Sequence, residues 1–184
     1  MTDPATGVTP QQVLRFWEEA GPKRWFRRDP EFDAEFRDRF LAAHEAAASG
    51  EFEHWLASAE GALALVLLLD QFPRNAFRGS ARVYATDAKA REAADVAIRA
   101  GFDRTVGEDL RQFFYLPFMH SEQLEDLERC VTLNEAVGGE PLRYAQHHRD
   151  IVARFGRFPH RNGVLGRAST PEEEHFLAEG GFAG

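Results

Sequence analysis

One short phrase occurs twice in this chain. Asp70-Gln71-Phe72-Pro73-Arg74-Asn75 closes a strongly apolar run, and Arg157-Phe158-Pro159-His160-Arg161-Asn162 follows an amphipathic segment. Each couples an aromatic–proline pair to an arginine and an asparagine. Proline lacks an N–H and restricts the residue before it, so such a pair predicts a helix end with a fixed backbone direction. The guanidinium and amide forks that follow suit carboxylate, phosphate or main-chain oxygens. The chemistry implied is recognition of an anionic group in a cationic pocket.

The densest polar residues fall in three stretches. Asp70, Arg74, Asn75 and Arg78 form the first. His120-Ser121-Glu122, directly after Pro117-Phe118, forms the second. The third combines His148, Arg149, Asp150 and Arg154 with Arg157, His160, Arg161 and Asn162. For a small anionic ligand, Arg74, Arg157 and Arg161 would bind or screen the charge, Asn75 and Asn162 would orient it, and Asp70 would hold an arginine. Arg78, Arg154 and His160 complete the expected lining. His120 or His148 would carry a proton if the protein is an enzyme, with Glu122 as the orienting carboxylate, because imidazole titrates close to operating pH.

Two other readings compete. The arginines could take an acidic or carboxylate-bearing peptide of a partner protein, with Trp25, Phe26 and Trp55 as anchors. Alternatively, arginine–carboxylate pairs beside the proline turns lock helix termini and bind nothing. Asp150 and Arg154 have the spacing of such a pair on one helix face.

Other chemistries fit less well. Glu51/His54 and Glu172/His175 share an E-x-x-H spacing found in diiron bundles, but both lie at polar segment boundaries without evident bridging glutamates. His147 and Asp150 are equally unspecific, so no metal and no cofactor is expected. Ser121 reads as a helix N-cap, since the G-x-S-x-G elbow of a serine nucleophile is missing. No glycine-rich dinucleotide loop or phosphate-loop lysine occurs. Cys130 is the sole cysteine and sits among Leu127, Val131 and Leu133, which suits a buried thiol.

The 184 residues are expected to form a single helical domain, residues 1–184, with 1–8 flexible and 179–184 frayed. A formal net charge of −8 argues against general nucleic-acid binding. Met1 to Pro10 lacks the basic and apolar regions of a signal peptide. The longest apolar run, Ala62 to Leu69, is too short to span a bilayer. A cytoplasmic protein with no membrane contact is the plain expectation, and the sequence sets no oligomeric state.

Helices must position these side chains. Thr9-Pro10-Gln11-Gln12 makes a capping box ahead of Val13, Leu14, Phe16 and Trp17, and Gly21-Pro22 stops that helix. Asp29-Pro30 opens the next, with Phe32, Phe36 and Phe40 at helical spacing. Glu60 to Phe72 reads as a central helix, apolar on nearly every side. Asp87 to Ala100 carries an alanine face, and Asp109 to Leu116 should end at Pro117. Ser121 should cap a helix reaching Gly138-Gly139, Pro141 opens one ending near Gly156, and Thr170-Pro171-Glu172-Glu173 starts the last. No segment alternates as a strand. The fold class is therefore all-α, an irregular antiparallel helical array of about seven to nine helices.

The chain also resembles the bacterial domain of unknown function family 924. The matching phrases are Phe16-Trp17, Leu69 through Asn75, Arg78-Gly79, Pro117-Phe118-Met119-His120-Ser121-Glu122 and His148-Arg149-Asp150-Ile151. They continue with Arg154 through Asn162, Leu165-Gly166-Arg167 and Ser169-Thr170. Together they cover about Val13 to Leu177. The resemblance implies an all-α, tetratricopeptide-like fold and transfers no activity.

Overall fold

The structure is a computed structural model that describes residues 7–182, leaving the expectations for residues 1–6 and 183–184 outside the described chain. The described residues form helices and turns, with no strand among them. Counting the unbroken run 59–76 as one, nine helices are described. They gather into two compact units. Unit 1 holds the chain up to Arg78 together with Arg82–Pro117, and unit 2 holds Gly79–Ala81 and the chain from Phe118 onward.

Unit 1 begins with α1 (Pro10–Ala20), α2 (Pro22–Trp25) and α3 (Pro30–Ser49). The Thr9 hydroxyl accepts from the Gln12 N–H while Gln12 returns the favour to the Thr9 N–H, and Asp29 caps α3 through the Phe32 N–H. Phe16 stacks on Phe32 and Phe36, with centroids 5.2 and 5.1 Å apart. Helix α4 (Ala59–Val66) is buried from Gly61 onward. A Cβ on Gly61 would lie 2.2 Å from the Trp55 carbonyl oxygen, so only glycine allows the 3-10 turn Glu53–Ala57 to close on this helix. Helix α6 (Asp87–Arg99) lays Ala90, Ala93, Ala94 and Ala97 against α4, where small side chains allow close approach. Trp25 and Trp55 are core residues, 5% and 3% exposed, whereas Phe26, the third aromatic considered as a partner anchor, stays out at 61%.

Helix α7 (Glu108–Met119) runs through Pro117 instead of stopping there. A proline so near a helix C-terminus interrupts only the last turn, so the chain continues to Met119 before turning.

In unit 2, α8 (Leu124–Glu135) and α9 (Gly139–Phe155) pack as a hairpin, followed by a 3-10 turn Pro159–Arg161 and α10 (Pro171–Ala178). Leu127, Ile151, Val152 and Phe158 form its core, flanked by Phe155, Phe176 and Phe182. Ser121 is not the residue that caps α8. Its hydroxyl accepts from the Gln123 N–H at 3.1 Å and donates to Asp126 at 2.6 Å, a turn just ahead of the helix. Gly181 donates to the Phe176 carbonyl, and Phe182 turns back onto the core.

Candidate functional site

The first phrase does not end a helix. After α4 the backbone widens into a π segment (Leu67–Gln71) and continues as α5 (Phe72–Ala76). Pro73 has no N–H, so it serves neither the carbonyl four residues back, Leu69, nor the one five back, Leu68. Side chains take over both. Thr86 Oγ1 donates to Leu69 O at 2.6 Å, and His44 Nδ1 donates to Leu68 O at 2.9 Å. Arg74 Nη1 donates to Asp70 O at 2.7 Å. The buried backbone is thus satisfied through a turn that an uninterrupted α-helix would not contain. His44 is itself buried and stacked on Phe72 at 4.8 Å, and burial pushes its pKa down.

The polar groups of this phrase close on carboxylates of their own unit. Arg74 lies between Asp70 at 3.2 Å and Asp87 at 2.9 Å, with its second terminal nitrogen 3.2 Å from Asp87 Oδ2. Asp70 is fully buried and also accepts from Gln71 Nε2 at 2.6 Å. Asn75 Nδ2 and Arg78 Nε each donate to Asp33 at 2.7 Å.

The second phrase is a true helix end. Gly156, at φ 71°, caps α9 in the left-handed region, where a Cβ costs energy and glycine does not. The Phe158 N–H donates to Glu122 Oε1 at 2.8 Å, and Arg167 grips the same carboxylate with both terminal nitrogens, at 2.7 and 2.9 Å. Burial opposes the charge on Glu122, but Arg167 and the Phe158 N–H outweigh it and hold its pKa down. Arg167 also donates to Asn162 Oδ1 at 3.0 Å, and Asn162 Nδ2 reaches Glu173 at 3.2 Å. Glu173 is the second hub. Arg157 donates to it at 2.6 and 2.8 Å and the Thr170 N–H at 2.8 Å, and its pKa falls to about 2, chiefly through Arg157.

Beside this frame is a histidine-rich corner. Phe182 meets the rings of His147, His148 and His160 with centroids 5.9, 4.6 and 5.1 Å away. His148 and His160 also flank Phe158, at 5.6 and 5.7 Å. His148 Nδ1 faces the Tyr144 carbonyl at 2.8 Å, so that nitrogen carries the hydrogen and Nε2 keeps the lone pair. Burial pushes the pKa of His148 to about 4, helped by the charges of His120, His147 and His160. His160 also falls to about 4, through burial first and then the charge of Arg161. Its Nδ1 is buried and meets no hydrogen-bonding group among the described residues. Arg161, 7% exposed, lies over the Phe158 ring at 4.6 Å and donates to the His120 carbonyl at 2.9 Å.

The family model described as a bacterial protein of unknown function, DUF924, matches residues 13–181. The chain belongs to this family. It is similar to the solved structure of a protein of unknown function from Agrobacterium tumefaciens. The two are 56% identical, with a TM-score of 0.91 over 92% of this chain and 97% of that one. Among curated proteins none matches.

For this family member the candidate residues divide between the units. Asp70, Arg74, Asn75 and Arg78 belong to unit 1, and His120, Glu122, His148, Arg154, Arg157, His160, Arg161 and Asn162 to unit 2. Glu122 is engaged by Arg167 and the Phe158 N–H rather than orienting a histidine. Arg154 pairs with Glu172 at 2.9 Å and Asp150 with Arg149 at 2.6 Å, so the expected Asp150–Arg154 pair does not form. Sequence reasoning missed Arg167, Glu173 and Phe182 as parts of the site. The capping box marked Glu173 as a helix start but gave no sign that its carboxylate also binds Arg157.

The E-x-x-H carboxylates turn away from their histidines: Glu51 accepts from Ser49 while His54 meets the Glu51 main-chain carbonyl, and Glu172 pairs with Arg154 while His175 pairs with Glu179. Among the described residues no group of histidine, cysteine and carboxylate side chains is arranged to hold a metal. Cys130 is buried, which pushes its thiol up to about 12. Among these residues no helix is long and apolar enough to cross a membrane.

Proposed function

We propose that this protein binds a small anionic molecule at the histidine corner of unit 2, with the arginine–asparagine phrase of that unit, Arg157 to Asn162, serving as its frame. The carrying observation is the grouping of buried His148 and half-buried His160, both held neutral, with Arg161 at one aromatic seat, Phe158 and Phe182. Desolvated imidazoles beside a guanidinium suit a carboxylate or phosphate, because the ligand's charge opposes the effects that keep them unprotonated. Binding would raise both histidine pKa values from about 4 toward neutrality. A ligand-bound His148 or His160 would then be able to give or take a proton in acid/base chemistry. Arg154 and Arg157, held by Glu172 and Glu173, keep α10 in place and stay off the ligand.

The test is a titration with inorganic phosphate and with acetate, followed by NMR of the imidazole ring protons. His148 and His160 should shift together and titrate at higher pH in the bound protein. Arg161→Ala should weaken binding by roughly 10- to 150-fold, the loss of one charge-assisted hydrogen bond. Arg161→Lys should restore only part, since lysine lacks the planar fork. Imidazole signals indifferent to both anions, or unchanged affinity in a folded Arg161→Ala protein, would reject the site.

A further inference from the structure

The turn after α1 carries a feature that the ligand corner does not use. Its sequence is Pro22-Lys23-Arg24-Trp25-Phe26-Arg27-Arg28, a run of cations around two aromatics in a chain of net charge −8. The two aromatics part company. Trp25 turns inward, donates its indole N–H to the Trp17 carbonyl at 2.7 Å and meets Phe113 edge-on at 5.0 Å. Phe26 turns outward, stacks on the same Phe113 at 6.0 Å with the planes 19° apart, and remains 61% exposed. One face of its ring is therefore braced while the rest is open to solvent. A braced aromatic loses little freedom on binding, as an interface anchor requires.

The cations around it also differ from the arginines placed around the two Phe-Pro phrases. Arg24 is held by Asp29 at 2.9 Å and lies over the Phe32 ring at 4.9 Å. Lys23, Arg27 and Arg28 are exposed, and no ion pair to a carboxylate is described for any of them among the described residues. Arg74, Arg78, Arg154, Arg157 and Arg167 each have such a carboxylate.

We propose that this hook, Lys23 to Arg28, docks a short acidic segment of a partner protein. An apolar side chain of the segment would cover Phe26 and its carboxylates would meet Lys23, Arg27 and Arg28. The size of the patch favours a short segment over an extended polyanion. Glu18 and Glu19 at the end of α1, and Glu31 and Glu35 at the start of α3, are exposed on either side of the hook in sequence. A bilayer or nucleic acid would bring phosphates toward these carboxylates as well as toward the cations, and a short peptide need not.

The probe is an acetylated, amidated peptide of glutamates around a single leucine, added to the full chain and followed by backbone amide NMR. Shifts should centre on residues 21–28 and weaken as salt rises. Arg27→Glu with Arg28→Glu should weaken binding about tenfold, from two reversed exposed charges. Phe26→Ala, or serine for leucine in the peptide, should each weaken it further. All of these side chains are exposed, and unchanged circular dichroism would confirm that the variants fold. Three results would overturn the proposal: no shift at the hook with millimolar peptide, binding indifferent to the charge reversal, or tighter binding to phosphatidylserine vesicles than to the peptide. The last would assign the hook to a membrane surface. The hook is in unit 1, so its failure leaves the histidine corner of unit 2 untouched.

Discussion

Near-identical phrases, Phe72-Pro73-Arg74-Asn75 and Phe158-Pro159-His160-Arg161-Asn162, take different conformations in the two units. In unit 1 the phrase lies inside a helix that widens to admit the proline. In unit 2 it follows a helix that has already ended. The difference lies two residues before the aromatic. Unit 2 has Gly156 there, at a left-handed φ of 71°, whereas unit 1 has Asp70, fully buried and paired with Arg74. Proline alone does not stop a helix when the surrounding core supplies donors for the carbonyls it leaves bare. Glycine stops it by admitting a backbone conformation that reverses the chain. The electrostatic consequences differ too. Unit 1 buries an arginine between two aspartates, while unit 2 sets its arginine–glutamate frame beside histidines held neutral.

The largest test of this contrast is Asp70→Ala. It removes one partner of a buried pair and leaves Arg74 with Asp87, so unit 1 should lose about 3–5 kcal/mol. All three tryptophans, Trp17, Trp25 and Trp55, are in unit 1, so the shift should appear in the urea midpoint read by tryptophan fluorescence. A loss below about 1 kcal/mol would make the pair dispensable.

Acid should act on unit 1 through His44, whose pKa burial lowers, and on unit 2 through its histidine corner. The pKa of His148 is about 4 in the folded chain against 6.5 for an ordinary imidazole, so its contribution is intact above pH 6.5 and declines as the pH falls to about 4. In that window the unfolded chain binds a proton that the native chain refuses. The loss should be on the order of 3 kcal/mol for His148. His160 shifts in the same direction and adds to it. Glu173 adds a second decline from pH 4.5 to about 2, where its favoured carboxylate is protonated. Urea unfolding followed through the imidazole signals across this range measures both. Stability independent of pH between 6.5 and 4 would mean that the corner is wet and ordinary.

A smaller effect separates the proline from its compensation. Thr86→Ala should cost about 1–3 kcal/mol by leaving the Leu69 carbonyl without its hydroxyl donor. In a Pro73→Ala background the restored amide competes for that carbonyl, so the same change should cost less. A double-mutant cycle reads this directly, and strict additivity would break the proposed link. The smallest expected change is Gly156→Ala, about 1–2 kcal/mol for forcing a Cβ into the left-handed region. A stabilised Gly156→Ala protein would show that glycine does not set the helix end.

Local chemistry was legible in the sequence. Both threonine capping boxes, at Thr9 and Thr170, form as their spacing predicts, because every partner lies within one turn. The all-helical class and the buried Ala62–Leu69 run were equally readable from periodicity. What escaped was closure over distance. Glu122 and Arg167 are 45 residues apart, as are Asp33 and Arg78, and nothing in the residues themselves says which carboxylate each fork will find. The π segment was hidden for another reason: a run apolar on all sides carries no periodic mark where one extra residue enters a turn. The histidines stood out by type, but Phe182, which brings three of them together, sits in a tail that composition alone reads as frayed.

A helix that is greasy on every side has no preferred rotation, because turning or sliding it by a residue exchanges one leucine or alanine for another at nearly equal energy. In unit 1 that degeneracy ends at the π segment. The Leu68 and Leu69 carbonyls point in successive directions around the axis, and each is pinned by a side chain from another element, His44 of α3 and Thr86 ahead of α6. These bonds act as an index mark on an otherwise featureless cylinder. Apolar burial supplies the drive to collapse, and the two carbonyls gripped from outside the helix, by His44 and Thr86, select the one orientation in which it comes to rest.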